Sequence, residues 1–244
     1  MARCKAIYMY TSSKILTWTI TLPLMAALSA LTQYYDPPLK CFTFTDFQLA
    51  LTLEEYERLL GLPLAKSPPY LYKGHHPSWA SMEKLLKMLE LEVLRRKKNK
   101  NSLEGIQKVS LEEKLHQFQK EGDWQTFMDV YKLLVYGIVL FPHVEDYIDL
   151  AVVDAFLTKR DKGENHVIVV LANTYYTLNY CYKKNEKALQ CCTPMLYLWM
   201  TTHLFHSKRR TACTIEDHHW SWIKTMSRKE WTRCLDEALE RTIH

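Results

Sequence analysis

Apolar residues recur at intervals of three and four along most of the chain, which is the spacing of amphipathic helices. Leu24, Leu28, Leu31 and Tyr35 mark the first, broken by Asp36-Pro37-Pro38, and Cys41-Phe42-Thr43-Phe44 reads as a short extended piece. Thr52-x-x-Glu55 is a capping box opening a helix through Leu60, which Gly61 and Pro63 close. Residues 63–79 hold four prolines and form an irregular connection. Met82, Leu85, Leu86, Leu89 and Val93 mark the next face, with Glu83 and Lys87 paired outside it. Arg95 to Asn101 is a basic, polar break and the best internal boundary. Beyond it, Ser110-x-x-Glu113 is a second capping box, and Gly122-Asp123 separates its helix from the next. Trp124, Phe127, Met128, Tyr131, Leu134 and Ile138 form the strongest stripe, stopping at Pro142. Another stripe, Ile148, Val152, Ala155 and Phe156, ends in a polar loop at Lys159–Asn165. Val167 to Leu171 fits a buried strand or a helix, and the length of the pattern favours the helix. Met195, Leu198, Trp199, Thr202 and Phe205 lie behind Pro194, and Ser227-x-x-Glu230 caps a last helix. The expected class is all-α, with short strands confined to 41–44 and 167–171.

The chain has 244 residues, 48% hydrophobic and 24% charged, enough to bury one sizeable core or two small ones. That apolar fraction excludes a disordered chain. Its 6 glycines form neither G-x-G-x-x-G nor G-x-x-x-x-G-K-[ST], so the usual phosphate cradles are absent. A net charge of +5 is mildly basic and short of the footprint of a dedicated nucleic-acid binder. The 7 cysteines show no repeated spacing, and no N-x-[ST] acceptor occurs, which points to reduced, intracellular thiols. The N-terminus points the other way. Arg3, Lys5 and Lys14 precede an apolar core at Leu22–Leu31 that has the pattern of a signal peptide, and it equally fits a core helix. Pro23 and the threonines around it make it a poor membrane span.

Candidate chemistry is sparse. Cys191, Cys192, His203, His206, Cys213, His218 and His219 hold zinc-ligand residue types, and His203 and His206 lie one turn apart. No C-x-x-C occurs, and buried cysteines with surface histidines account for the cluster, so no metal or other cofactor is expected. Glu145, Asp146 and Asp149 could share a cation or act as an acid/base pair, although acids at a helix start also complement its dipole. Cys181 or Cys191 as a nucleophile would need a positioned histidine, and no G-x-S-x-G or H-E-x-x-H signature is present. The expectation is therefore a non-enzyme. Two basic runs, Arg95, Arg96, Lys97, Lys98 and Lys100, then Lys208, Arg209 and Arg210, are candidate phosphate contacts. Solvated loops are the plainer reading.

Several ordered blocks resemble the plant mobile domain family, in its retrotransposon-associated, legume-expanded branch. They are Tyr34-Tyr35-Asp36-Pro37, Cys41 to Leu49 and Leu53-Glu54-Glu55-Tyr56, then Tyr136 to Pro142, Leu171 to Tyr176 and Cys191 to Trp199. The resemblance implies a helical domain over 20–244, after an irregular segment 1–19, that is incomplete at its C-terminus. It also implies that Leu22–Tyr35 is a helix within the domain rather than a cleaved leader. It carries no catalytic residues and no pyridoxal-phosphate lysine. By resemblance the setting is nuclear (a cytoplasmic one is the alternative), and the role is protein interaction linked to transposon silencing. A phosphatase-like protein is the implied partner, with nucleic-acid binding through the two basic runs as the alternative and no membrane partner.

Overall fold

The computed structural model describes residues 24–72, 74, 77–88, 97–100, 103–142, 146–184, 189–204 and 226–238. Helices dominate these residues, so the mainly α class holds, with two small antiparallel sheets added. The chain divides into two compact units. Unit 1 takes in residues up to Glu55, Tyr175–Leu189 and Thr193 onward; unit 2 takes in Tyr56–Thr174 and Gln190–Cys192.

Unit 1 begins with α1, residues 24–31, where Leu24, Ala27, Leu28, Ala30 and Leu31 are all buried. A short 3-10 turn, Thr32–Tyr34, follows α1, so the helix stops ahead of the proline pair expected to break it. That pair lies between β1 (Tyr35–Asp36) and β2 (Cys41–Thr43); β1, β2 and β3 (Gln48–Leu49) pair in that order. The extended piece expected at 41–44 is therefore the central strand. It turns Phe42 inward against Trp199 of α8 (Thr193–Leu204), with ring centroids 5.4 Å apart. The Ser227-x-x-Glu230 box caps α9 (Arg228–Asp236) through both reciprocal bonds, and Trp231 and Leu235 are buried. Tyr34 ties α9 back by donating to Asp236 at 2.6 Å.

Unit 2 is built on α4 (Lys108–Glu121) and α5 (Trp124–Val135), a helical hairpin folded at Gly122, whose φ of 74° is left-handed. α3 (Trp79–Leu86) packs on α5, and the Nζ of Lys87 bonds the Asp123 carboxylate instead of pairing along its own helix with Glu83. Leu89 and Val93 lie outside the described residues. The basic break is a strand over part of its length: β4 (Lys97–Lys100) pairs with β5 (Leu103–Gln107), and β5 with β6 (Tyr147–Asp149). Ile148 thus belongs to a strand and not to the following helical stripe. Close approach holds it there: a Cβ on Gly105 would meet the Ile148 carbonyl oxygen at 2.6 Å, and one on Gly137 would meet its Cδ1 at 2.0 Å. Gly137 lies in a π-type turn, Tyr136–Leu140, that follows α5.

Two further boundaries differ from expectation. The helix of the second predicted capping box starts at Lys108, so Ser110 is buried inside its first turn and caps nothing. α6 (Leu150–Lys162) runs through most of the predicted polar loop, because its C-terminus waits for Gly163 at φ 69°. α7 (Val167–Lys184) removes the strand alternative at 167–171: Asn165 Oδ1 accepts the Val167 amide at 3.0 Å and starts a helix there.

Candidate functional site

The polar centre of unit 1 is Glu55, in the first turn of α2 (Leu53–Leu60). Its Oε2 accepts the Thr52 amide and hydroxyl, both at 2.9 Å, which completes the capping box read from the sequence. The same oxygen accepts Trp199 Nε1 at 3.1 Å, and Oε1 lies 2.6 Å from His203 Nε2. Trp199 and His203 are four residues apart on α8, so they rise from one face and reach the carboxylate together. An ionised carboxylate only accepts, so the Nε2 of His203 carries the proton. Burial pushes the Glu55 carboxyl upward, but the His203 bond and the two Thr52 bonds outweigh it and hold the pKa at about 2. Glu55 is therefore an anion at neutral pH, oriented by three residues, and not a proton donor. The pair keeps partial access to water, with side chains 25% (Glu55) and 20% (His203) exposed.

Unit 2 has its own polar centre where the α6–α7 corner meets the proline-rich connection. Asn165 is buried, and its amide donates to the Pro68 carbonyl at 2.7 Å. Its carbonyl accepts the Tyr70 amide at 2.8 Å, and its Nδ2 donates to the Leu62 carbonyl at 2.8 Å. Tyr70, also buried, donates from its hydroxyl to Asp154 at 2.8 Å, and burial and that carboxylate both raise its pKa. His166, only 1% exposed, lies against the Tyr70 ring at a centroid distance of 4.7 Å and edge-on to Tyr136 at 5.8 Å. Its Nε2 is 3.4 Å from the Thr158 hydroxyl, and its Nδ1 has no hydrogen-bond partner. Burial, and then the charge of Lys159, press its pKa down to about 4 against the Ala155 carbonyl. His166 is a neutral wedge.

The residues singled out in the sequence scatter. Lys97, Lys98 and Lys100 lie on β4, the first strand in the β4–β5–β6 order. Arg95, Arg96, Lys208, Arg209 and Arg210 lie outside the described residues, as do Glu145, His206, Cys213, His218 and His219. Asp149 is the N-cap of α6, accepting the Ala151 amide at 2.8 Å, which is the dipole-side role rather than a cation site. Cys181, Cys191 and Cys192 are buried. Among the described residues no group of three His, Cys, Asp or Glu side chains could hold a metal ion, and no helix is long and apolar enough to cross a membrane. Sequence reasoning missed both polar centres. Glu55 was visible only as a cap, and nothing in a linear pattern joins it to His203, 148 positions away.

No curated protein and no solved structure matches the chain. Over residues 13–244 it matches the family model described as Domain of unknown function (DUF7745), and with nearly its whole length covered the chain belongs to that family.

Proposed function

We propose that the chain is a non-enzymatic, helical protein-interaction module of the plant mobile domain type, working in the nucleus on transposable-element silencing. One observation carries the interaction reading: α7 leaves Tyr176 64%, Tyr180 39% and Tyr182 63% exposed on a folded, apolar-cored unit. Tyrosine supplies large, rigid contact area and is enriched where binding energy concentrates. The polar centres support the same reading, because their groups are engaged internally. Glu55 spends its lone pairs on a cap, an indole and an imidazole, and Asn165 spends its groups on backbone. The nuclear setting, the transposon link and a phosphatase-like partner rest on the resemblance of the ordered blocks from Tyr34 to Trp199.

Affinity purification of the tagged chain from plant nuclei, with mass spectrometry, tests the proposal. Recovery of silencing factors or a phosphatase-like protein at constant stoichiometry is expected. Recovery of secretory-pathway proteins, or of chaperones alone, rejects it. The nucleic-acid alternative draws on Lys97, Lys98 and Lys100 sharing one strand. It requires affinity for oligonucleotides that falls steeply with salt and weakens when Arg95, Arg96, Lys97 and Lys98 become alanine.

A further inference from the structure

Tyr176, Tyr180 and Lys183 follow one another at four and three residues on α7, so they share a stripe of its surface, with Lys184 on its shoulder. The helix carries no Asp or Glu anywhere along its length. Among the described residues neither Lys183 nor Lys184 forms an ion pair, and both are exposed. The β1–β2 turn adds to this stripe. Lys40 donates from its Nζ to Asn179 Oδ1 at 2.9 Å, which brings the turn to the flank of Tyr180 and Tyr176. Leu39 beside it is 59% exposed. Lys40 holds a φ of 56°, in the left-handed region that side-chain-bearing residues other than Asn and Asp seldom adopt. Such outliers persist where the surrounding structure demands them, and they concentrate at functional positions. Asp36, the acid of the same turn, directs its Oδ1 to the Leu39 amide at 3.4 Å.

The surface therefore alternates apolar area with cations that form no ion pair among the described residues. We propose that Leu39, Lys40, Tyr176, Tyr180, Lys183 and Lys184 form the docking surface for an acidic segment of a partner protein, one that interleaves Asp or Glu with Leu or Phe. Tyr176 and Tyr180, about 6 Å apart along the helix axis, take the partner's apolar side chains, and the lysines take its carboxylates. Leu39 favours a peptide over single-stranded nucleic acid, because an aliphatic side chain gives a base no π-face to stack on. The inference rests on the interaction-module reading and names the partner's chemistry.

The test is fluorescence anisotropy on the full chain with three labelled probes. One is a 16-residue peptide of Asp and Glu interleaved with Leu and Phe, one is a peptide of equal charge with Ser in place of Leu and Phe, and one is oligothymidylate. The first probe should bind tightest. Its affinity should fall about tenfold or more in Tyr176→Ala/Tyr180→Ala, and again in Lys183→Glu/Lys184→Glu, with a flatter salt dependence. These positions are exposed, so circular dichroism should be unchanged, and Lys120→Glu on α4 should bind like the parent. Equal binding of the first two probes, indifference to both double variants, or tighter binding of oligothymidylate with the same residue dependence overturns the proposal. The two readings fail separately. A nuclear partner still captured by the double variants removes this surface and leaves the module. Probe binding that behaves as stated, with no partner captured by the parent chain, removes the module and leaves the surface.

Discussion

His203 in unit 1 and His166 in unit 2 occupy opposite electrostatic settings. His203 lies 2.6 Å from a carboxylate and keeps a fifth of its side chain in water, beside a fixed negative charge. His166 is almost fully buried between tyrosine rings, with a lysine charge nearby, so a positive charge there has no compensation. The same side chain thus serves one unit as a tie to a carboxylate and the other as a neutral wedge between rings. What decides between them is the neighbour that long-range folding supplies, Glu55 for one and Tyr70 for the other.

The largest consequence is acid sensitivity of unit 2. His166 titrates at about 4 when folded and near 6.5 when unfolded, so the unfolded chain binds more protons throughout that window. Its contribution is complete above pH 6.5 and is lost as the pH falls to about 4. The 2.5-unit difference corresponds to roughly 3 kcal/mol at about 1.4 kcal/mol per unit. Urea unfolding at pH 7, 5.5 and 4 should show that loss, and His166→Phe should flatten it. Parallel pH profiles for parent and variant would mean that His166 is not the group responsible. Glu55 works in a lower window: its contribution is present above 4.5 and disappears as the pH falls through about 2. Hydrogen exchange resolved by segment should therefore show residues 62–70 loosening at a higher pH than α2 and α8.

The carboxylate side of the comparison breaks with Glu55→Ala. That change removes the acceptor of Trp199 Nε1, His203 Nε2 and the Thr52 amide, while the Thr52 hydroxyl still caps the residue 55 amide, a cost of about 2 kcal/mol in chemical denaturation. Glu55→Gln keeps an acceptor for the indole and should recover part of the loss, while abolishing the titration below pH 4.5. A full recovery would show that the charge of Glu55 contributes nothing.

What the sequence made legible follows from the range of the interaction. Caps are local, so Thr52 and Ser227 were readable as helix starts, and Gly122 as a stop, because each acts within one turn. Helical periodicity is nearly as local, and it located α5, α8 and the mainly helical class. The β4–β5–β6 sheet was not legible. Its first strand is Lys-Lys-Asn-Lys, with no alternation, and it forms through pairing of β5 with β6, where Ile106 and Ile148 are both buried. The proline-rich connection looked irregular for the same reason. Its order comes from Asn165, almost a hundred residues onward, and only the folded backbone brings the two together.

Two smaller changes sharpen the contrast between contacts made at long range and those made within a turn. Gly137→Ala in unit 2 places a methyl group where the Ile148 Cδ1 now sits, and the tip of that side chain must rotate away. Overpacking of this kind should cost about 1 kcal/mol, and Gly137→Ala combined with Ile148→Val should relieve part of it, a coupling that a double-mutant cycle on urea midpoints measures. Ser227→Ala in unit 1 is the local counterpart. It removes an acceptor from the Glu230 amide and leaves the reciprocal bond from the Ser227 amide to Glu230 in place. The expected loss is therefore at the lower end for caps, about 0.5–1 kcal/mol. No coupling to Gly137→Ala is expected, because a cap acts within its own first turn. A non-additive double variant would show that α9 depends on more than its own capping box.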